Sequence, residues 1–507
     1  MPRPNFLILM VDQLTGTLFP DGPAEFLRVP NLRALAERSA RFANAYCASP
    51  LCAPARASFM TGLQPSRTRV YDNAADFAAD IPTYAHALRA GGYQTALSGK
   101  MHFIGPDQLH GFEQRLTTDI YPADYGWTPD YEKPGERIDW WYHNLGSVTG
   151  AGVADITNQL EYDDAVSFHA RARLRDLSRR KDRRPWCLTV SFTHPHDPYV
   201  ARREFWDLYE DCPALDPEVP AIPYAGQDPH SRRLLDACEH DATPVTRENI
   251  RDARRGYFAN TSYVDAEIGK ILAVLEASGM AGETVIVFTS DHGDMLGERG
   301  LWFKMGFHEG SARVPLFFAG PGILPRRIET PVSALDVAPT LTALADAAPL
   351  DCDGVDLSPA LRGESLDRGP VPLEYAAEGS VAPLVCLRDG RFKLILCEAD
   401  PPLLYDLEAD PAELRDLAGD PDHAETLARL TALARDRWNL SRLDAEVRAS
   451  QARRRLVYAA SREGVHFPWE FQPRTDASQA FMRNHMDLNV VEESQRGPRD
   501  ADGALLG

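Results

Sequence analysis

The sequence predicts an α/β fold: a sandwich around a central, mostly parallel sheet, plus a smaller C-terminal α+β domain with an antiparallel sheet. Short apolar runs recur along the first two thirds of the chain and helical patterns separate them. After about residue 363 the pattern changes, and at 507 residues the chain is too long for one ordinary domain. The predicted domains are 1–363, 364–466 and a tail over 467–507.

The core strands are predicted from runs that are apolar on both faces, as strands inside a parallel sheet are. These runs cover residues 5–11, 94–97, 187–192, 285–289 and 316–319. Helical patterns at 31–40 and 249–278 lie between them. Alternation of strands with helices indicates layers of helices against one sheet.

The C-terminal part is predicted from different signals. Residues 384–396 and 404–407 have the pattern of antiparallel strands, with a turn at Asp389-Gly390. One long helix is predicted over 424–459. The following segment, 467–493, is rich in aromatic and charged residues. Because it is too apolar for a plain linker, we expect the tail to pack at an oligomer interface.

Composition and charge exclude several classes of function. The formal net charge of -20 argues against binding to nucleic acid or to an anionic membrane. The first apolar run, 6–11, is too short for a signal peptide or a membrane span, so a cytoplasmic protein is expected. The eight cysteines show no paired spacing, which predicts free thiols rather than a zinc cluster or a disulfide framework.

Four of the predicted core strands run directly into polar residues. These residues are Asp12 after the first strand, Lys100 and His102 after the second, His194 and His196 after the third, and Asp291 and His292 after the fourth. In parallel α/β sheets, ligands bind beyond the carboxyl ends of the strands. The sequence therefore predicts one site that gathers these side chains.

The most specific motif is Cys52-Ala-Pro-Ala-Arg56. Pro54 suits the first turn of a helix, which places residue 52 at a helix N-terminus, where backbone N–H groups favour an anion. A buried cysteine at the start of a helix is the plain structural alternative for this pentapeptide.

Continued by residues 57–62, the motif resembles the signature of the type I sulfatases, the formylglycine-dependent family. Residues 141–144, 191–198 and 484–488 resemble its choline-sulfatase branch. The resemblance implies an alkaline-phosphatase-like core and hydrolysis of a sulfate monoester, choline sulfate. It also implies that a formylglycine-generating maturation enzyme converts Cys52 to formylglycine (3-oxoalanine).

One divalent metal ion is predicted at the same edge of the sheet. The ligands implied are Asp12, residue 52, Asp291 and His292. Hard oxygen ligands favour Ca²⁺, with Mg²⁺ or Mn²⁺ as alternatives because His292 is a borderline ligand. The family generally has two adjacent acids after the first strand, whereas this chain has Asp12-Gln13. Asp12 is also compatible with a helix cap or a surface acid.

The resemblance assigns the catalytic positions Cys52, Arg56, Lys100, His102, His194 and Lys304. Two lysines and a cation can stabilise the charge that grows on the sulfate during transfer. His194, with Lys304 nearby, is the candidate acid for the departing alkoxide, and His102 is the candidate base. Lysines alone are usually solvated, and His194 is also compatible with a core imidazole that has His196 as its structural neighbour.

Recognition of the leaving alcohol is predicted from the chemistry of a quaternary ammonium. Such a cation donates no hydrogen bond, so aromatic faces and carboxylates recognise it. Trp127 is the candidate face, with Glu378 and Asp487 as counter-charges. The resemblance also places Asn73, His143 and Asn144 near the substrate. If Asp487 reaches a neighbouring subunit, specificity depends on a homo-oligomer, a dimer or a tetramer.

Two other functions are compatible with the motifs. Related folds use the same nucleophile in phosphonate monoester and phosphodiester hydrolases. A catalytically dead small-molecule binder, in which Cys52 is never modified, would keep the fold without the reaction.

Overall fold

A large mixed sheet forms the centre of the molecule. The computed structural model describes residues 3–133, 143–179, 182–463, 487 and 489–490. In chain order the strands of this sheet are β1 Asn5–Val11, β2 Ala40–Phe42, β3 Gln94–Gly99, β4 Gln114–Arg115, β5 Trp186–Ser191, β6 Thr284–Ser290, β7 Leu316–Ala319 and β8 Arg326–Ile328. Their order across the sheet is β8-β2-β7-β6-β1-β5-β3-β4.

The central strands are parallel and fully buried, as the sequence predicts. β1 pairs in parallel with β5 and β6, and β5 pairs in parallel with β3. Among the described strands of this sheet, β7 alone runs antiparallel to both its neighbours, β6 and β2. All residues of β1, β3, β5 and β6 are buried. Their carboxyl ends therefore lie side by side at one edge, which confirms the predicted α/β core.

Helices cover the sheet and connect its strands. Those of seven residues or more are α1 Pro30–Glu37, α2 Cys52–Thr61, α3 Tyr84–Ala90, α4 Asn158–Arg179, α5 Pro229–Ala237, α6 Arg247–Ala277, α7 Val337–Leu344, α8 Ala424–Arg437 and α9 Leu440–Arg462. Shorter helices are Pro65–Thr68, Gly146–Thr149, Arg203–Trp206, Glu309–Ala312 and Ser358–Leu361. α4 packs against α6, the longest helix, which begins with a capping box formed by Thr246 and Asn249.

A second sheet, antiparallel and four-stranded, follows the core. Its strands are β9 Val371–Tyr375, β10 Leu384–Asp389, β11 Phe392–Cys397 and β12 Asp400–Asp406, and neighbours in sequence are neighbours in space. Gly390, at φ 56°, makes the predicted turn between β10 and β11. Two minor sheets pair Ala45–Tyr46 with Arg313–Val314 and Val332–Ser333, and Gly152–Val153 with Val200–Ala201.

The single long helix predicted over 424–459 is wrong, because the chain forms two helices there. Trp438 has extended backbone angles, and its indole N–H donates to Glu374 at 2.6 Å. The side chain of Asn439 then accepts from the N–H of Arg442 and caps the start of α9. A buried tertiary hydrogen bond thus interrupts a pattern that is helical in sequence.

The cysteines agree with a further expectation from the sequence. All eight cysteines are free thiols. Among the described residues, no helix has the length and apolar character needed to cross a membrane. The predicted tail over 467–507 lies outside the described residues, apart from positions 487, 489 and 490.

α9 contacts three segments of the molecule that are distant from one another in sequence. Both terminal nitrogens of Arg454 donate to the carboxylate of Asp72, at 2.8 and 2.7 Å, and one also donates to the hydroxyl of Thr128 at 2.9 Å. One turn and a half earlier, Arg448 donates to the carbonyl of Val381 at 2.8 Å. The helix therefore ties these segments together across the surface of the core.

The buried pair of Arg454 and Asp72 should contribute strongly to stability. Their side chains are 6% and 0% exposed. We expect Arg454→Met to lower the free energy of unfolding by about 3–5 kcal/mol, because Asp72 would stay buried without its counter-charge. Urea and thermal unfolding measure the effect. The control is Arg442→Met on the same helix, whose exposed pair with Glu446 should matter little. Equal effects of the two substitutions would contradict the prediction.

Candidate active site

Residue 52 lies at the N-terminus of a fully buried helix. Cys52 is the first residue of α2, which confirms the predicted helix start. The N-cap residue, Leu51, offers no side-chain hydrogen bond, and the side-chain oxygen of Asn73 instead accepts from the N–H of Ala53 at 2.9 Å. Asn73 thus holds the turn that carries residue 52. The amide groups and dipole of such a turn favour a negatively charged group.

Two carboxylates and an imidazole surround the side chain of residue 52. Ligand atoms of Asp12, Cys52, Asp291 and His292 all lie within 4.8 Å of one another, and the four residues are buried. The sulfur of Cys52 is 3.2 Å from Nε2 of His292 and 3.8 Å from Oδ1 of Asp12. The four predicted metal ligands are therefore brought together by the fold.

The imidazole of His292 has the tautomer and the charge state that suit a metal ligand. Its Nδ1 donates to the carbonyl of Gly293 at 3.1 Å, which leaves Nε2 as an acceptor facing Cys52. Burial lowers the pKa of His292 to about 4, so the ring is neutral at physiological pH. Two carboxylates with a neutral imidazole are a donor set that fits a divalent cation.

Two cations stand among these acids. The guanidinium of Arg56 donates to Asp291 at 2.8 Å and to Asp12 at 3.1 Å, and the ammonium of Lys100 also contacts Asp12. All four side chains are 0% exposed. Burial by itself would raise the pKa of Asp12, but the neighbouring cations, Lys100 foremost, hold it well below its usual range. Asp12 is a buried anion rather than a cap or a surface acid.

The thiol of Cys52 is a poor nucleophile in this setting. Burial raises its pKa to about 11, and the nearby charge of Asp12 acts in the same direction, although Lys100 opposes both. The ammonium of Lys100 is 3.6 Å from the sulfur. As an unmodified cysteine, residue 52 would therefore be a neutral thiol at physiological pH.

His102 lies in the same region with both ring nitrogens available. It is 2% exposed, and neither nitrogen has a hydrogen-bond partner among the described residues. Burial, and next the charge of Lys100, lowers the pKa of His102 to about 3. The ring lies 5.4 Å from that of Tyr121, over whose face the ammonium of Lys100 sits at 4.1 Å. His102 is thus a neutral, buried acceptor.

The two histidines after β5 have different hydrogen-bond partners. Nδ1 of His194 is bonded to the carboxylate of Asp163, on α4, at 2.7 Å. The contact with Lys304 is made by His196, whose Nε2 is 2.8 Å from the ammonium nitrogen. Burial, with Lys304 next, holds the pKa of His196 well below its usual range. His196 is therefore the histidine that contacts Lys304.

Gln13 connects this lysine to two further acids. Its side-chain oxygen accepts from the ammonium of Lys304, and its Nε2 donates to Asp294 at 2.6 Å and to Asp197 at 3.3 Å. Asp197 also lies 3.3 Å from Nδ1 of His196. Both polar atoms of the Gln13 side chain thus have hydrogen-bond partners among the described residues.

Of the remaining predicted substrate residues, His143 contacts this cluster. Nδ1 of His143 is 3.3 Å from Asp197, and its ring lies 5.2 Å from that of His196. The side-chain oxygen of Asn144 accepts from the N–H of Gly146. Asp487 is exposed, and its carboxylate accepts from the N–H groups of the following residues. No hydrogen bond or ion pair of the described residues joins Asp487 to the cluster.

Trp127 and Glu378 are the remaining candidates for cation recognition. The half-buried ring of Trp127 lies 5.8 Å from that of Tyr121 and 5.9 Å from that of His102. Glu378 is 5% exposed, and neither carboxylate oxygen has a partner among the described residues. Burial, with the charge of Asp72 next, raises its pKa to about 8. A nearby cation would stabilise the ionised form of this buried carboxyl group.

Sequence reasoning missed several residues of this cluster. The sequence identifies Gln13 only as a departure from the family pattern, gives His196 a place among the polar residues after β5 without a role of its own, and does not single out Asp197, Asp294 or Tyr121. Asp197 and Asp294 each lie within three residues of a predicted site residue, so the ends of β5 and β6 carry a signal for them. Tyr121 has no comparable signal, because tertiary contacts alone bring it to the cluster.

Protein-family models match most of this chain. The Sulfatase family model matches residues 4–347. A model for the C-terminal part of N-sulphoglucosamine sulphohydrolase matches residues 297–437, and a model described as the choline sulfatase enzyme C terminal matches residues 445–496. The last match includes most of α9.

Individual sulfatases and a related hydrolase are also similar to this chain. The choline-sulfatase of Rhizobium meliloti (strain 1021) is 62% identical over 98% of this chain and 99% of its own. The iduronate 2-sulfatase of Homo sapiens is 32% identical over 63% of this chain and 60% of its own. A phosphonate monoester hydrolase from Silicibacter pomeroyi, at 24% identity, shares the fold with a TM-score of 0.69 over 86% of this chain and 95% of its own. On the strength of the family model and the relative that matches nearly end to end, this chain belongs to the sulfatase family.

Proposed function

We propose that this protein is a choline-sulfatase, which uses water to hydrolyse choline sulfate to choline and sulfate. The observation that carries the proposal is the meeting of residue 52, at a helix N-terminus, with Asp12, Asp291 and His292 in a buried cluster flanked by cations. The 62% identity with a choline-sulfatase over nearly the whole chain supports the choice of substrate.

The nucleophile is proposed to be formylglycine made from Cys52 by a maturation enzyme. A thiol with a pKa raised to about 11 is protonated at physiological pH, so the unmodified side chain is ill-suited to attack an anion. As a hydrated aldehyde, residue 52 would supply one hydroxyl to attack sulfur and a second whose deprotonation releases sulfate.

A divalent metal ion is proposed at the same point. Asp12, Asp291, His292 and an oxygen on residue 52 would hold it, and the oxygen-rich donor set favours Ca²⁺, with Mg²⁺ or Mn²⁺ as alternatives. When bound, the ion would make a hydroxyl on residue 52 more acidic and neutralise charge on the sulfate.

The protein side chains divide the remaining work. Arg56 and Lys100 hold fixed positive charge beside residue 52, where the sulfate oxygens would lie. His102, which is neutral and whose ring nitrogens have no hydrogen-bond partner among the described residues, is proposed to accept the proton of the second hydroxyl. Lys304 and His196, rather than His194, form the pair on the leaving-group side.

Choline is proposed to bind between an aromatic face and an acid. Trp127, next to the rings of Tyr121 and His102, supplies the face, and Glu378 supplies the charge. Asn73, His143 and Asn144 are proposed to lie near the ester. A homo-oligomer, in which Asp487 from the tail reaches a neighbouring subunit, remains part of this proposal.

Modification and turnover at residue 52 give the first test. Mass spectrometry of the peptide that contains Cys52 should show a loss of about 18 Da, the difference between thiol and aldehyde. Cys52→Ala should abolish turnover, and Cys52→Ser should be crippled because one hydroxyl cannot both attack and eliminate. Cys212→Ala, at a half-buried cysteine outside the cluster, is the control and should retain turnover. Full multiple turnover by either variant at position 52 would refute the mechanism.

Metal content gives a test that does not depend on activity. Chelation should lower the melting temperature, because an ion bound only to the folded state stabilises that state. Elemental analysis should find less metal in Asp12→Asn and Asp291→Asn than in the wild type. The matched control is Asp294→Asn, a buried acid outside the ligand cluster, which should keep its metal. Wild-type protein that is fully active without any bound metal would overturn the proposal.

The pKa of Glu378 predicts how pH affects choline binding. Its raised pKa of about 8 means that the carboxyl group is protonated below that pH. A bound ammonium group favours the ionised form, so KM for choline sulfate should fall as pH rises toward 8, by up to about tenfold per pH unit. KM for an aryl sulfate whose leaving group carries no positive charge, measured in parallel, should lack this trend.

Glu378→Gln is the matched variant for this measurement. It keeps the size of the side chain but cannot ionise, so the ratio of the two KM values should become independent of pH. A ratio that changes with pH equally in the wild type and in this variant would remove Glu378 from the cation site.

A further inference from the structure

We infer that Gln13 is a positioning residue for departure of the alcohol: it fixes the ammonium group of Lys304 so that one N–H remains for the leaving oxygen. The inference rests on the proposed sulfatase function. It assigns no metal-binding role to Gln13, although this residue directly follows a proposed metal ligand.

The first support is the orientation of the amide group. An ammonium only donates hydrogen bonds and a carboxylate only accepts them. The oxygen of Gln13 must therefore face Lys304, and its nitrogen must face Asp294 and Asp197, as is observed. A carboxylate at position 13 could not donate to either acid, so only the amide satisfies all three neighbours at once.

The backbone of Gln13 is equally constrained. Its N–H donates to Asp291 at 3.0 Å, and its carbonyl accepts from the hydroxyl of Tyr257 at 2.6 Å. The residue is 0% exposed and has a φ of 65°, which a non-glycine residue seldom adopts. Because its surroundings fix both the backbone and the amide, Gln13 offers Lys304 a rigid acceptor.

The hydrogen bond from Lys304 also fixes which ring nitrogen of His196 carries a hydrogen. Since Lys304 can only donate, Nε2 of His196 is the acceptor in their 2.8 Å contact. The ring hydrogen is then on Nδ1, which donates to the carbonyl of Asp197 at 2.7 Å. In the resting protein His196 is therefore not the group that holds a proton for the alcohol. That proton is on Lys304.

One N–H group of Lys304 has no hydrogen-bond acceptor among the described residues. An ammonium has three N–H groups, and among the described residues Gln13 and His196 take two of them. During the reaction a hydroxyl oxygen of residue 52 bonds to sulfur and its proton passes to solvent, while the bond from sulfur to the leaving oxygen breaks and its electron pair stays on that oxygen. The third proton of Lys304 bonds to the leaving oxygen, and the resulting amine is reprotonated from solvent, which has received the proton of the attacking hydroxyl. Nothing is oxidised or reduced in this step.

The nature of the leaving group decides how much this proton matters. An alkoxide such as that of choline is a strong base and leaves slowly without protonation, whereas 4-nitrophenolate is a stable anion. Misplacing Lys304 should therefore slow cleavage of an alkyl sulfate much more than cleavage of a nitrophenyl sulfate. A residue with a merely structural role would slow both equally.

The experiment compares Gln13→Met with the wild-type protein on choline sulfate and on 4-nitrophenyl sulfate. Methionine keeps the approximate size and removes every side-chain hydrogen bond of position 13. We expect kcat/KM for choline sulfate to fall about 100-fold, and for 4-nitrophenyl sulfate less than about threefold. The matched control is Gln227→Met, a buried glutamine bonded to backbone carbonyls, where the ratio of the two rates should not change.

Equal losses on both substrates would overturn the inference, and so would loss of bound metal from Gln13→Met by elemental analysis. If Gln13→Met does not fold, Gln13→Glu replaces it, since glutamate keeps an acceptor for Lys304. The selective loss on choline sulfate should then be smaller, within about tenfold, and equal losses would again overturn the inference. A wild-type protein that cleaves neither sulfate ester would instead refute the proposed function.

Discussion

Neutralisation of buried charge is the constraint on which the rest of this site depends. Asp12 and Asp291 have no access to water, and Arg56 and Lys100 are equally buried beside them. An unpaired ion in such a place costs several kcal/mol, so each charge requires a partner at hydrogen-bonding distance. The fold must bring four separate chain segments to one point for this to succeed, and the mostly parallel sheet does so.

Gln13 separates two groups of acids within that constraint. On one side lie the acids of the proposed metal cluster, Asp12 and Asp291, and on the other lie Asp197 and Asp294. A fifth carboxylate between them would add repulsion, whereas a neutral amide donates to one group and accepts from Lys304. The chemistry of position 13 is therefore set by the charge of its neighbours.

α9 extends the argument from the core to the proposed choline site. Arg454 neutralises Asp72, which precedes the asparagine that holds the first turn of α2, and it also bonds to Thr128, which follows Trp127. One buried guanidinium thus links the segment that holds the proposed nucleophile to the segment of the proposed aromatic face. These hydrogen bonds connect a C-terminal helix to a site built mainly from the N-terminal part of the chain.

The sequence by itself determined the local structure and the chemical inventory. Apolar runs defined the buried strands, Pro54 and its motif defined the start of α2, and the polar residues after each strand defined which side chains could meet, because these signals are local. Only the tertiary structure decided which of them do meet. His194 turns to Asp163 while His196 turns to Lys304, although the two histidines are separated by a single residue. The break at Trp438 and the partners of Gln13 were equally hidden, since each depends on hydrogen bonds to residues far away in sequence. Donor and acceptor geometry across the fold makes that choice, and no local pattern contains it.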